Sequence, residues 1–276
     1  MFEYRGRTAL VTGASYGIGA VFVEALAARG MNVILVARSG ELMTKLAQDG
    51  AAKHKVRTET IVADLSKEGA VEAVRLEVER RGLTVDLLIN NAGFATHGYF
   101  ESLPAERERD EITVNIAALV GMTHAFVPGM LSRGGGAVIN VASNAAFQPI
   151  PYMAVYAATK AFVVSFSRAL SIEFAGRGVQ VQALCPGPTA TKFFEIADAK
   201  EAAVGKLRTS EDVVATSLRA LDRNRVLAVD GLFNRVQGFF AGLVPAGMSA
   251  KIASNVVRPR RDESADASKR PSGMPK

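Results

Sequence analysis

The sequence contains a single cysteine, Cys185, among its 276 residues. One cysteine cannot build a disulfide framework, and such usage fits a reducing compartment, so we expect a cytoplasmic protein. Because no basic partner accompanies it in the sequence, we expect Cys185 to pack as a small buried hydrophobe rather than to act as a nucleophile. Histidine is also scarce: His54, His97 and His124 are scattered without the spacing of metal ligands, so we expect no metal site.

The sequence also lacks the features of nucleic-acid-binding and membrane-spanning proteins. The net charge is +6, but residues 258–276 hold six Lys or Arg against three Asp or Glu. The rest of the chain is therefore only mildly basic, and no basic face for nucleic acid is evident. We see no uncharged apolar run that approaches the roughly 18 residues of a membrane span. We also expect no signal peptide before the first strand-like run at residue 7.

What the sequence has in quantity is apolar residues, at 49%, arranged in a regular order of elements. Short, almost continuously apolar runs, typical of strands buried on both faces, occur at 7–12, 32–37, 58–63, 85–90, 136–142, 179–184 and 225–230. Helix-period segments alternate with them at 17–29, 41–53, 67–81, 106–130, 152–175 and 210–222. This alternation predicts an α/β fold with a doubly wound, mostly parallel sheet and right-handed crossovers.

We predict one domain over residues 1–231, a helical extension over 232–257 and a disordered basic tail over 258–276. In the extension, apolar residues recur at helical spacing. Such a helix could cover the core or a dimer surface. It could also form a lid over an apolar substrate or a contact with a membrane surface, because Arg235 and Lys251 flank its apolar stripe.

A glycine-rich turn, "TGASYGIG", follows the first predicted strand. Gly13 allows the strand to turn sharply, Gly17 lets the backbone approach a pyrophosphate, and Gly19 lets the new helix lie close to the sheet. The helix N-terminus then offers free N–H groups and a partial positive charge to phosphates. A tight turn without a ligand is the alternative.

The end of the second predicted strand indicates which dinucleotide would bind. In NAD-binding proteins an acidic residue there accepts hydrogen bonds from the adenosine ribose. Here the chain has Ala37, Arg38 and Ser39 instead. The Arg38 guanidinium could pair with a 2′-phosphate through two parallel hydrogen bonds, so we predict NADP(H) as the cofactor. An ordinary surface arginine is the alternative.

These motifs together resemble the short-chain dehydrogenase/reductase family. The resemblance covers residues 5–230 and rests on motifs in the family's order: "TGASYGIG" at 12–19, "ADL" at 63–65, "NNAG" at 90–93, Asn115, Ser143, "YAATK" at 156–160 and "PGPTAT" at 186–191. It implies a seven-stranded Rossmann-like sheet and an oxidoreductase acting on CH–OH groups. It also implies a catalytic tetrad of Asn115, Ser143, Tyr156 and Lys160.

The resemblance further implies which residues hold the cofactor. The set comprises Gly13, Ser15, Tyr16, Gly17, Ile18 and Gly19 at the turn, Arg38, Asp64 and Leu65 at the adenosine, Asn91, Ala92 and Gly93 at the ribose and central strand, and Pro186, Gly187, Thr189 and Thr191 at the nicotinamide, beside Tyr156 and Lys160.

Each member of the implied tetrad has a chemical task. Tyr156 exchanges a proton with the substrate oxygen, although a free phenol has a pKa of about 10. Lys160 lies four residues later, on the same helix face, and we expect its ammonium to lower that pKa. Ser143 can donate a hydrogen bond to the substrate carbonyl. By the resemblance, Asn115 holds a water molecule that links Lys160 to solvent. The alternative is a cofactor-binding scaffold without turnover, but the chain keeps all four residues.

The segments expected at the substrate, 94–100, 144–153 and 191–207, carry large apolar residues: Phe94, Phe147, Ile150, Phe193 and Phe194. Lys192 and His97 are expected at the rim. We therefore predict an apolar ketone as the substrate, such as a 3-oxoacyl chain, a steroid-like ketone or a long-chain carbonyl compound. The helices at 106–130 and 152–175 are apolar around much of their circumference, which predicts a homodimer or homotetramer.

Overall fold

A parallel sheet of seven strands forms the centre of the molecule, which we describe from a computed structural model covering residues 2–191, 193, 199, 207–231 and 246–259. The strands are β1 Thr8–Thr12, β2 Asn32–Ala37, β3 Thr58–Val62, β4 Leu87–Asn90, β5 Gly136–Val141, β6 Val179–Cys185 and β7 Leu227–Val229. Their order is β3-β2-β1-β4-β5-β6-β7, and every neighbouring pair is parallel. The predicted fold class and strand count are confirmed.

The helices are α1 Gly17–Ala28, α2 Gly40–His54, α3 Ala70–Arg80, α4 Ala105–Ile112, α5 Leu119–Ser132, α6 Ala154–Glu173, α7 Ser210–Asp222 and α8 Ala246–Val257. Short 3₁₀ turns cover Phe100–Ser102 and Asn144–Phe147. All six predicted helices are present within a few residues of their expected bounds. Of the predicted extension, the structure describes 246–257 as helix; the remainder, like the tail beyond residue 259, lies outside the described residues.

Alternation along each strand divides the core between the two faces of the sheet. On β1, Val11 packs with α1 and α7, whereas its neighbour Leu10 packs with α3 and α5. Successive strand residues point to opposite faces, so a run of consecutive apolar residues supplies both layers. This is why the strands are apolar without alternation in the sequence.

Helices α4 and α5 are joined by a π-helical turn at Thr113–Ala118, so 105–132 is one continuous helical stretch. Contrary to our expectation, it contains an 18-residue window with a mean hydropathy of 1.5, long and apolar enough by composition to cross a membrane. However, Met122, Phe126 and Met130 are buried against the sheet. A core helix passes the same length and composition test.

A chain of buried amides connects the sheet to α6. Asn90 donates to the Asn140 side-chain oxygen at 2.9 Å, and Asn140 donates to the Ser167 hydroxyl at 2.9 Å. Asn140 and Ser167 are fully buried. Because buried polar groups are costly unless they are paired, these bonds fix the position of α6 relative to β5.

We therefore predict that Ser167→Ala lowers the free energy of unfolding by about 2 kcal/mol, because it leaves the Asn140 amide without its acceptor. Urea unfolding would measure this change. The matched control is Ser165→Ala, since Ser165 is exposed on the same helix; it should change stability by less than about 0.5 kcal/mol. Equal effects of the two substitutions would contradict the structural role of the amide chain.

Candidate active site

A cavity of about 400 Å³ opens at the carboxyl ends of the strands. In open parallel sheets this edge is where ligands bind, because the loops there diverge to opposite faces. Of the residues predicted to hold the cofactor, all line the cavity except Gly19. Those that line it are Gly13, Ser15, Tyr16, Gly17, Ile18, Arg38, Asp64, Leu65, Asn91, Ala92, Gly93, Tyr156, Lys160, Pro186, Gly187, Thr189 and Thr191.

The turn after β1 can only be built with glycines. Gly13 and Gly17 have φ angles of +63° and +59°, which L side chains rarely adopt. A Cβ at Gly17 would lie 3.1 Å from the Thr191 methyl group, and one at Gly19 would lie 2.2 Å from the Gly13 carbonyl oxygen. Gly19 thus acts by allowing α1 to lie against the turn, as predicted, rather than by facing the cavity.

The same turn is held from the neighbouring strand. The Thr12 hydroxyl accepts hydrogen bonds from the backbone N–H groups of Asn91 and Ala92, both at 3.0 Å. The Asn91 side chain donates in turn to the carbonyl oxygens of Thr12 and Gly13, at 2.9 and 3.1 Å. Asn91 therefore supports the glycine turn itself, which leaves the N-terminus of α1 open toward the cavity.

The end of the cavity at β2 and β3 combines a cation with a carboxylate. Arg38 is exposed at the end of β2, next to Ala37. Asp64 lies opposite and accepts hydrogen bonds from the backbone and hydroxyl of Ser66, at 3.1 and 2.9 Å. Burial raises the pKa of Asp64, but the Ser66 hydrogen bonds and the charge of Arg38 outweigh it, and the pKa stays below its usual value. This end of the cavity therefore offers the exposed Arg38 guanidinium as a partner for an anionic group, and an ionised carboxylate, Asp64, nearby.

Ser143, Tyr156 and Lys160 meet at the opposite end. Tyr156 and Lys160 are on α6 and are 8% and 5% exposed, while Ser143 follows β5. The Lys160 ammonium donates to the Val141 carbonyl oxygen at 2.9 Å and lies 5.7 Å from the centre of the Tyr156 ring. The Ser143 hydroxyl accepts from the Ala145 N–H at 3.1 Å. All three side chains line the cavity.

Asn115 does not line the cavity but lies behind it, inside the π-helical turn. Its amide donates to the Phe94 carbonyl at 3.0 Å and accepts from the Phe94 N–H at 3.2 Å, and it also donates to the Thr159 hydroxyl at 3.1 Å. A Cβ at Gly93 would lie 2.9 Å from the Asn115 oxygen and 3.3 Å from the Lys160 nitrogen. Asn115 and Lys160 therefore both border the space that a side chain at position 93 would fill. π-Helical turns of this kind are frequent at functional sites.

Burial has the largest effect on the pKa values of Tyr156 and Lys160. It raises the pKa of Tyr156 to about 12, although a hydrogen bond from Ser143 opposes it. It lowers the pKa of Lys160 to about 8, and the nearby Glu111 carboxyl opposes that change. We expected the Lys160 ammonium to lower the pKa of Tyr156. That expectation is wrong for the protein without ligand, because desolvation penalises the phenolate more than its surroundings stabilise it.

The substrate end is apolar, with corrections to the predicted lining. Phe94, Ile150 and Phe193 line the cavity, and the Phe193 ring lies 5.4 Å from that of Tyr156. Phe147 does not line it, because it packs with β7 and α6 instead. His97 bonds the Val257 carbonyl at 2.8 Å and so holds the end of α8. Lys192 and Phe194 lie outside the described residues.

Sequence reasoning missed several residues of the site. Arg107 and Asp110 of α4 line the cavity, as does Val257 of α8. Glu111 is fully buried near Lys160. The signal for Glu111 was its position four residues before Asn115 on the same helix. Arg107 and Asp110 carry no motif, and only the fold brings α4 to the cavity.

Cys185 is buried at the end of β6, and burial raises the pKa of its thiol to about 12. This protonated, inaccessible thiol confirms the packing role expected for it. Within 2–191, 207–231 and the other described residues, no group of three or more His, Cys, Asp or Glu could hold a metal ion.

Comparisons with known proteins identify relatives of this chain. The sequence matches a family model described as short chain dehydrogenase over residues 7–202. It is 40% identical over 193 residues to the human protein named inactive hydroxysteroid dehydrogenase-like protein 1, covering 69% of this chain and 58% of that protein. It is 36% identical over 195 residues to bovine very-long-chain 3-oxoacyl-CoA reductase, covering 69% of this chain and 62% of that protein. The chain thus spans about three fifths of the length of these curated relatives.

A solved structure is similar over nearly the whole chain. It is a short-chain dehydrogenase from Sphingobium yanoikuyae in complex with NADPH, with a TM-score of 0.78 and 31% identity. The match covers 93% of this chain and 97% of that one.

The low pKa of Lys160 predicts how stability depends on pH. The native state releases the Lys160 proton near pH 8, whereas the unfolded chain keeps it until about 10.5. Between these values the unfolded state binds more protons, so native stability rises with pH. Relative to Lys160→Met, the wild type should gain about 3 kcal/mol of unfolding free energy across this window.

Urea unfolding at a series of pH values, without ligand, would measure this gain. The matched control is Lys45→Met, because Lys45 is exposed; its difference from the wild type should stay constant across the window. A constant difference for Lys160→Met as well would show that Lys160 is not desolvated in the native state.

Proposed function

The chain belongs to the short-chain dehydrogenase family, and we propose that it is an NADP(H)-dependent oxidoreductase that interconverts a carbonyl group and an alcohol. One observation carries the proposal: Ser143, Tyr156 and Lys160 converge at one end of a cavity that is also lined by the glycine turn and the N-terminus of α1. That arrangement can hold a dinucleotide with its reactive end beside a proton donor.

Three features of the cavity fit NADP(H). The positive-φ glycines leave the α1 N-terminus accessible to a pyrophosphate. Arg38 is exposed beside the cavity where an acidic residue would favour NAD. Gly93 leaves space beside Asn115 and Lys160 that a side chain would fill. The NADPH complex of the Sphingobium relative supports the same cofactor.

We propose that Arg38 selects NADP(H) by pairing with its 2′-phosphate. Arg38→Ala should then weaken NADPH binding about 10- to 100-fold, the loss expected for hydrogen bonds to a charged group, and leave NADH binding nearly unchanged. Ala37→Asp should shift the preference toward NADH. Titration of the nicotinamide fluorescence would give both dissociation constants.

The matched control is Arg57→Ala, because Arg57 is an exposed arginine beside the amino end of β3, away from the cavity. It should change neither dissociation constant. An unchanged ratio of NADPH to NADH affinity in both cavity variants would refute the role of Arg38.

When bound, the reduced nicotinamide supplies a hydride to the carbonyl carbon. Tyr156 completes the reduction by giving its phenolic proton to the carbonyl oxygen, so its O–H bond breaks as the alcohol O–H forms. Its pKa of about 12 keeps Tyr156 protonated at neutral pH, which is the form that reduction needs. Ser143 donates a hydrogen bond to the same substrate oxygen. Lys160 as an ammonium stabilises the phenolate that remains.

We propose an apolar ketone as the substrate, in the class of a 3-oxoacyl chain, a steroid-like ketone or a long-chain carbonyl compound. The substrate end supports this because Ala95, Ala145, Met153 and Phe193 pack around Tyr156. The name of the bovine relative, a very-long-chain 3-oxoacyl-CoA reductase, supports it as well. Arg107 and Asp110 add charge to the cavity wall, so a substrate with a polar end is accommodated.

A non-catalytic NADP(H)-binding protein is the alternative, favoured by the name of the human relative, which is called inactive. Tyr156 and Lys160 are both present, largely buried, and line the cavity together with Ser143, and this arrangement argues for turnover. Tyr156→Phe should lower kcat/KM for NADPH-dependent reduction of a 3-oxoacyl ester or steroid ketone by about 10²- to 10⁴-fold, because the proton donor is lost.

The assay would follow nicotinamide absorbance over a series of ketones of increasing chain length. Tyr4→Phe is the matched control, because it removes a part-buried hydroxyl that bonds Asp222 at 2.7 Å and does not line the cavity. It should retain full turnover. If Tyr156→Phe turned over the best substrate as fast as the wild type does, this mechanism would be ruled out. If the wild type turned over no ketone, the non-catalytic alternative would be favoured.

We also propose that the protein is a dimer or tetramer built on α4, α5 and α6. Ile112, Phe162 and Ile172 are exposed on these helices, the last at 76%. Apolar side chains on the outer side of a helix already packed on the sheet favour a second partner. Met248, Ile252 and Val256 likewise form an exposed stripe on α8, which supports peripheral contact with a membrane surface.

A further inference from the structure

Glu111 is a fully buried carboxyl group one helical turn before Asn115. Glutamates are rarely buried to this extent unless they are paired. No cation of the described residues lies within ion-pairing distance of Glu111. A group with this cost of burial, so close to the reacting residues, calls for a physical explanation.

The two carboxyl oxygens have different surroundings. One, Oε2, accepts hydrogen bonds from the backbone N–H and the hydroxyl of Thr96, both at 2.8 Å. The other, Oε1, is buried and has no hydrogen-bond partner among the described residues. The contact with Thr96 therefore does not explain why a carboxyl group is buried here, because only one of its two oxygens takes part in that contact.

The position of Glu111 places it against the same backbone segment as the predicted tetrad. Asn115 holds Phe94 through two hydrogen bonds, and Glu111 holds Thr96 two residues later. Lys160 lies at the start of this segment, within 3.3 Å of where a Gly93 Cβ would be. The Glu111 carboxyl group of α4 and the Lys160 ammonium of α6 thus lie at the two ends of the four-residue segment 93–96.

The charges of the two groups act on each other. Burial raises the pKa of Glu111 to about 7, and the Thr96 hydrogen bonds and Lys160 oppose this. Burial lowers the pKa of Lys160 to about 8, and Glu111 opposes this. Two further groups act nearby. Glu108 on the same helix raises the pKa of Glu111, and Cys185 at the end of β6 raises the pKa of Lys160. Glu111 and Cys185 both raise the pKa of Tyr156.

We propose that Glu111 is a positioning residue that acts through Lys160: its carboxylate keeps Lys160 in the ammonium form that proton donation by Tyr156 requires. The proposal rests on the function proposed above. Without the carboxylate, burial favours the neutral amine, and the phenolate left after proton donation loses its counter-charge. With the carboxylate, the ammonium persists to higher pH.

Glu111→Gln tests the charge, because the glutamine oxygen can still accept from Thr96. Removing the negative charge removes the influence that raises the pKa of Lys160, so the ammonium is lost at lower pH. The alkaline limb of the kcat profile should shift down by about one pH unit, with KM nearly unchanged. Glu106→Gln is the matched control, since Glu106 is an exposed carboxylate on the same helix, and it should leave the profile in place.

A second measurement needs neither cofactor nor turnover. In the ligand-free protein labelled with ¹³C-lysine, the Cε resonance of Lys160 is identified by its loss in Lys160→Met. In the wild type it should titrate in two steps near pH 7 and 8, the first reporting Glu111. In Glu111→Gln a single step should remain, at lower pH. Glu111→Asp, which keeps the charge, should restore two steps.

These outcomes separate the two proposals. A single Lys160 step in the wild type, or an unchanged step in Glu111→Gln, would overturn the role of Glu111. The wild-type curve decides even if the glutamine variant does not fold. The predicted resonance shifts without any ketone turnover would instead uphold the link between Glu111 and Lys160 and count against the proposed enzyme.

Discussion

Parallel pairing of all seven strands is the constraint on which the site depends. A parallel sheet needs a crossover for each connection, and here the helices cover both faces. Only the two ends of the strands stay uncovered by helices, and in a parallel sheet the carboxyl ends of all the strands lie on the same side. The glycine turn after β1, Arg38 after β2 and Ser143 after β5 are separated by up to 130 residues, yet they line one cavity. The chemistry is thus assembled by topology before any side chain contributes.

A second consequence of this architecture is that α6 packs one of its faces against the sheet. Its first half carries Tyr156 and Lys160, and the buried bond between Asn140 and Ser167 holds its second half to β5. Because β5 also leads into Ser143, one polar contact in the core fixes the distance between three site residues. The cost is desolvation: the lysine is driven toward its neutral form and the tyrosine away from its ionised form. Proton donation by Tyr156 tolerates the second effect, since it needs the phenol, but the first must be offset.

Most of the fold and of the candidate site could be predicted from the sequence, for reasons visible in particular residues. Continuous apolar strands and period-3.6 helices gave the α/β order because each element repeats its signal over several residues. Gly13 and Gly17 could be assigned because few residues tolerate their backbone angles. By contrast, the π-helical turn at Asn115 has the same apolar pattern as the helix around it. Phe147 looked like a substrate contact, but a 3₁₀ turn directs it toward β7.

Electrostatic balance was the least predictable part, because it depends on distances and burial that sequence spacing does not contain. The spacing of Tyr156 and Lys160 indicated that an ammonium lies near a phenol. It could not show that the Lys160 ammonium donates a hydrogen bond to the Val141 carbonyl oxygen, nor that the Tyr156 and Lys160 side chains are almost fully buried. In water an ammonium alone would lower the pKa of the phenol. Inside this protein it can do so only if something keeps it charged, and the carboxyl group placed to do so comes from another helix, 45 residues before Tyr156. The protonation states of Glu111, Tyr156 and Lys160 therefore depend on one another, because burial strengthens the electrostatic interactions among these groups.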